Sequence, residues 1–77
     1  GEYEVIEAEI IETSELINKE LKNSNLPDEI RIGAVLRENK VIIPRSNFVF
    51  KKEDKVVFLA KKDSISVVEN IFRISSI

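Results

Sequence analysis

Between Val5 and Ile10 apolar and acidic residues alternate. Ile6, Ala8 and Ile10 fall on one side, Glu7 and Glu9 on the other, which is the period of a half-buried strand. The rhythm then changes. In "TSELINKELKNSNLP" a short apolar stripe of Leu16, Ile17 and Leu21 follows Thr13 and Ser14, either of which suits a helix N-cap. Asn23-Ser24-Asn25 and Pro27 close the segment. The spacing predicts one or two helical turns, because the stripe is brief and asparagine-rich.

Alternation returns at residue 30. Ile30, Ile32, Ala34 and Leu36 are interleaved with Arg31, Gly33, Val35 and Arg37, which predicts a strand with the first set toward the core. Gly33 in mid-strand marks a bulge or a close backbone approach. The polar "RENK" is a turn in which Asn39 best tolerates a positive φ. "VIIP" is a brief returning strand ended by Pro44, which has no N–H for a ladder. After "NFVF" and the polar "KKED", the stretch "KVVFLA" sets Val56, Phe58 and Ala60 against Val57 and Leu59. Apolar residues on both faces fit a central strand covered on both sides. Last, Ser66-x-x-Glu69 has capping-box spacing, and Ile65, Val68, Ile71 and Phe72 share a helical face. The β-branched residues there are poor helix formers, so packing must hold this C-terminal helix.

These elements predict an α+β fold: a small two-layer domain with a mostly antiparallel sheet of about four strands. A short helix follows the first strand and a second helix ends the chain. The core expected from the faces is Ile6, Ile10, Ile32, Ala34, Leu36, Val41, Ile43, Val56, Phe58, Val68, Ile71 and Phe72.

At 77 residues the chain is one domain over 1–77, and a chain this short buries only about 60–65% of its unfolded surface. Small scaffolds of this kind gain from a staple or a partner. The chain has no Cys and no His, which removes disulfides, thiolate and imidazole chemistry and the common zinc sites. With Gly1 and Gly33 as its only glycines it has no phosphate-binding glycine loop. The acidic pairs Asp28-Glu29 and Glu53-Asp54 fall in turns and read as solvated. No enzyme activity and no cofactor are expected. Residues 1–15 hold six glutamates and no Lys or Arg, which leaves 12 basic against 8 acidic residues in the remainder. The basic residues are interleaved with acidic ones rather than gathered into a stripe, which argues against nucleic acid. No apolar run approaches the ~20 residues of a membrane span, and no signal peptide opens the chain.

Residues 26–72, "LPDEIRIGAVLRENKVIIPRSNFVFKKEDKVVFLAKKDSISVVENIF", resemble the TrkA-C domain, the C-terminal half of an RCK unit. The ordered set is Leu26-Pro27, Ile32 to Arg37, Glu38 to Lys40, Val41 to Pro44, Asp54 with Val56 to Leu59, and Val67 to Phe72. The opening "EAEIIETSELINKEL" is similar to the family's first strand and the phrase after it. The chain departs from the family at Asn18, Glu38 and Glu53, where glycine is frequent. One branch of the family binds cyclic di-AMP through an Asn ahead of the hairpin strand, where Arg31 or Ile32 stands here.

The resemblance implies a regulatory and dimerisation domain, part of a longer protein of bacterial Trk potassium uptake. Its expected partners are a second copy of itself (a homodimer), the N-terminal nucleotide-binding RCK domain of the parent chain, and the membrane potassium-channel subunit. Its expected place is the cytoplasm, at the inner face of the membrane. The competing class is a sensor for an anionic effector at the dimer interface, with Arg31, Arg37 and Arg45 as ligand-binding candidates because arginine forks suit phosphate or carboxylate. The dimer patch expected from the sequence is residues 28–35 with 42–46, where Val35 and Ile42 are apolar on the face opposite the expected core.

Overall fold

The computed structural model describes residues 2–74; Gly1 and residues 75–77 of the expected 1–77 domain lie outside the described residues. Five strands form one sheet: β1 (Tyr3–Ile10), β2 (Ile30–Arg37), β3 (Lys40–Ile42), β4 (Lys55–Lys61) and β5 (Phe72–Ile74), in the order β3-β2-β4-β1-β5. Every neighbouring pair is antiparallel. The antiparallel sheet and a short C-terminal helix, α1 (Ile65–Val68), are as expected; the fifth strand is an addition. No helix among the described residues is long and apolar enough to cross a membrane.

The second layer is mostly irregular chain. The segment predicted as a helix after β1 makes only turns and a 3-10 turn at Leu21–Asn23. Asn18 lies at φ 69°, which no α-helix accepts, so the Leu16–Leu21 stripe never winds. Ser14 caps no helix; its hydroxyl accepts from the Leu16 N–H at 3.1 Å as a local turn. Residues 18–22 are laced instead to residues 46–50. The Asn18 N–H donates to the Phe50 carbonyl and the Leu21 N–H to the Phe48 carbonyl, both at 2.8 Å. This lacing sets Phe50, and Leu16 just ahead of the first strip, into the core, both buried. At the other end α1 is four residues long. The expected capping box does not form, since Ser66 lies inside α1 and the chain turns extended again at Phe72. Val68 and Phe72 are nonetheless buried as expected, and the Phe72 ring lies 5.0 Å from that of Phe58.

β2 carries the chief correction. Ile30 and Ile32 face Ala60 and Phe58 of β4, but the register shifts between Ile32 and Ala34, and Val35 then faces Val56. One extra residue moves every later side chain to the other face. Gly33 is therefore the bulge anticipated there. The consequence was not anticipated: Val35 and Arg37 turn inward, while Ala34 and Leu36 turn out. β3 inherits this phase through the pair Val35–Ile42. Val35 is fully buried and Ile42 packs against the core, whereas Val41 is 68% and Ile43 71% exposed. The hairpin's expected inner and outer faces are thus exchanged. Ile6, Ile10, Val56, Phe58, Val68 and Phe72 of the expected core are buried, and Ile32 and Ile71 pack at its edge. β4 is central, but it is covered on one side only: Leu59 is exposed.

The turns hold stored strain. The two-residue hairpin loop has Glu38 at φ 51° and Asn39 at φ 66°, and Glu53 lies at φ 72°. Two positive values make a type I′ turn, which suits the twist of the strands. Asn accepts this region with little penalty, whereas a Glu held there costs about 1–2 kcal/mol. Glycine removes the clash but adds unfolded-state freedom of about 0.5–1 kcal/mol. Glu53→Gly is therefore expected to raise stability by roughly 0.5–1 kcal/mol in urea unfolding, and Asn18→Gly to change it little. A loss at Glu53 would contradict the strain.

Candidate functional site

The phase shift in β2 brings the half-buried Arg37 onto a buried carboxylate, Asp54. Leu36 faces Lys55 across β2 and β4, so the next step along the ladder brings Arg37 to Asp54. Asp54 is 1% exposed. Its carboxylate accepts from Arg37 Nε at 2.8 Å and Nη2 at 2.7 Å, and from the Lys51 N–H at 2.8 Å. Arg37 Nη2 also donates to the Val49 carbonyl at 2.9 Å, and the guanidinium lies 4.9 Å from the Phe48 ring centre. On the far side the Asp54 carbonyl accepts from the Ile10 N–H at 3.1 Å. The hydrogen bond to Asp54 raises the Arg37 pKa above its ordinary value; burial opposes this and attraction to Asp54 and Glu38 adds to it. The guanidinium therefore stays charged at any physiological pH.

This pair joins three separate parts of the chain: the end of β2, the 48–51 strip and the start of β4. A buried carboxylate of this kind is tolerated only when its lone pairs are filled, and here the fork of Arg37 and a backbone N–H fill them. No buried side-chain nitrogen or oxygen among the described residues lacks a partner. Reading Glu53-Asp54 as two solvated turn acids is right for Glu53 and wrong for Asp54. A signal was present: Arg37 and Asp54 flank two strands that pair, so a correct register makes them neighbours.

The three arginines named from the sequence are placed differently. Arg37 has its fork engaged by Asp54 and Val49. Arg31 is exposed on the outward side of β2, opposite Leu59, and Arg45 is exposed beyond β3. Arg31 borders a cleft of about 380 Å³ with Lys22, Asn25 and Leu26. Lys22 and Arg31 are its two cations, and Lys22 carries only a loose pair with Glu20 at 3.8 Å. A second cleft, about 440 Å³, lies between Ser14, Lys19, Asn25 and Asn70.

Comparison with known proteins places this architecture. The model of the TrkA-C domain matches residues 5–73, from β1 into β5. The chain belongs to the TrkA-C domain family. It is 43% identical over 75 residues to the Trk system potassium uptake protein TrkA of Azorhizobium caulinodans, covering 97% of this chain and 16% of that protein. It is 38% identical over 64 residues to a Trk system potassium uptake protein TrkA homolog of Archaeoglobus fulgidus, covering 83% of the chain and 15% of the homolog. A K(+)/H(+) antiporter NhaP2 of Shewanella sp. strain ANA-3 is 30% identical over 72 residues, 94% of the chain and 12% of the antiporter. The chain thus spans about one-sixth of the TrkA proteins it matches. Asn18, Glu38 and Glu53, the three departures noted from the resemblance, all have positive φ.

Proposed function

We propose that this TrkA-C domain is the regulatory and dimerisation unit of a bacterial Trk-type potassium uptake protein. In this reading it passes the ligand state of the parent chain's N-terminal nucleotide-binding RCK domain to the membrane potassium-channel subunit. It works in the cytoplasm at the inner face of the membrane and is not itself an enzyme. The observation that carries the reading is where the same unit recurs. It matches about one-sixth of proteins named for Trk potassium uptake and about one-eighth of a K(+)/H(+) antiporter. A unit of about seventy residues attached to two kinds of potassium transport protein serves transport without forming the pathway. Consistent with that reading, the Arg37–Asp54 contact ties the end of β2 to the 48–51 strip and the start of β4.

The test uses the full-length parent protein with this domain deleted, expressed with its channel subunit. Nucleotide binding to the parent should persist, while potassium uptake should stop responding to nucleotide. Uptake that responds as before would contradict the relay.

A second reading, a sensor for an anionic effector, draws on the cleft where Arg31 and Lys22 stand together. Arg45 is the other exposed arginine proposed for it, whereas Arg37 would have to leave Asp54. Melting the chain against anionic nucleotides and carboxylates separates the readings. A true ligand at a hundredfold its Kd adds about 2.7 kcal/mol, and Arg31→Ala should abolish that gain. No shift with any of them would remove the sensor reading.

A further inference from the structure

Glu15 and Lys19 stand four residues apart, the spacing and order at which a glutamate and a lysine pair along a helix. Here no helix forms between them, because Asn18 turns left-handed at φ 69°. Among the described residues neither side chain enters an ion pair. Both nevertheless border one space, the cleft of about 440 Å³ between the segment after β1 and the residues after α1. Its volume falls within the ~300–1,000 Å³ of small-molecule sites. Two opposite charges therefore face one cleft without neutralising each other.

The backbone beneath this cleft is pinned. The Lys19 N–H donates to the Leu16 carbonyl at 2.9 Å, and the Lys19 carbonyl accepts from the Phe50 N–H at 3.1 Å, which anchors the position to two buried residues. Ser14 Oγ accepts from the Leu16 N–H at 3.1 Å, which leaves its own O–H to donate. Asn70 Nδ2 donates to the Ser66 carbonyl at 3.3 Å, which leaves Oδ1 to accept. Leu16 and Ile71 supply an apolar part of the lining. The cleft thus offers a cation, an anion, a hydroxyl donor and an amide acceptor around apolar contact. A phosphate or dicarboxylate entering it would meet the like charge of Glu15, and a diamine that of Lys19. A solute that carries an ammonium and a carboxylate on one skeleton meets neither.

We propose that this cleft binds a small zwitterion of the α-amino acid class, with its carboxylate on Lys19, its ammonium on Glu15 and a polar side chain toward Ser14 and Asn70. Both charged groups are exposed and exposed ion pairs are weak, so the dissociation constant falls at about 1–10 mM. Lys22 and Arg31 take no part, so the site is independent of the anionic-effector reading and of the Trk reading.

Two-dimensional NMR of the nitrogen-labelled chain, titrated with glycine, L-serine and L-glutamine, tests it. At least one of the three should shift the backbone signals of residues 14–19 and 70–71 saturably at millimolar concentration. N-acetylation of that amino acid, which removes the ammonium, and conversion to its α-amide, which removes the carboxylate, should each weaken binding about two- to fivefold. Lys19→Gln and Glu15→Gln should do the same, with a cooperative melt confirming that each variant folds. Arg31→Ala should leave the dissociation constant unchanged. Shifts that stay linear with concentration for all three amino acids overturn the site. Blocked derivatives that bind as tightly as the parent, or binding lost in Arg31→Ala but kept in Lys19→Gln, overturn it as well.

Discussion

The bidentate contact between Arg37 and Asp54 constrains more of this domain than any other interaction. Asp54 is shut away from water, and an unpaired buried carboxylate is too costly to keep ionised. Its fork partner must come from β2, and Arg37 reaches inward only because the chain gains a residue at Gly33. Bulge and ion pair therefore require each other. Without the bulge, Arg37 would point to solvent, and Ala34, Leu36 and Val41 would fill the core instead of Val35 and Ile42. The same guanidinium holds the 48–51 strip, which brings Phe50 under the sheet and with it the 18–22 strip.

The price of this arrangement is an outward apolar band. The residues displaced from the core by the change of phase now stand on the open face beside Val57, Leu59 and Val5. A small domain that turns its branched side chains outward exchanges internal packing for an external surface. That exchange leaves an apolar surface on a chain that matches about one-sixth of the longer potassium uptake proteins it resembles.

The limits of sequence reading here are physical. Strict alternation in β1 and the central place of β4 were legible, since no bulge interrupts either, and so were Ile6, Ile10, Val56 and Phe58 as core; the cover expected on both sides of β4 was not found, since Leu59 is exposed. The hairpin was legible as a hairpin, but its facing depends on how Gly33 is accommodated. A single uncounted residue inverts every assignment after it. The early helix failed because Asn18 takes a left-handed conformation that ties residues 18–22 to residues 46–50, a long-range contact that no local spacing encodes. Phe50 stayed unassigned for the same reason, since irregular chain has no period to announce which side is in. Asp54 was misread because burial of an acid is visible only once its partner is in register. The family, by contrast, was recognisable from the ordered phrases, which survive ignorance of facing.

The central claim is that Arg37 and Asp54 act as one unit. A double-mutant cycle by urea unfolding measures this directly, using Arg37→Met, which keeps the side-chain stem, and Asp54→Asn, which keeps an acceptor for the Lys51 N–H. Each single change should cost on the order of 2–4 kcal/mol. The double variant should lose far less than their sum, leaving a coupling on the order of 2 kcal/mol. Costs that simply add, to within ~0.5 kcal/mol, would contradict the account.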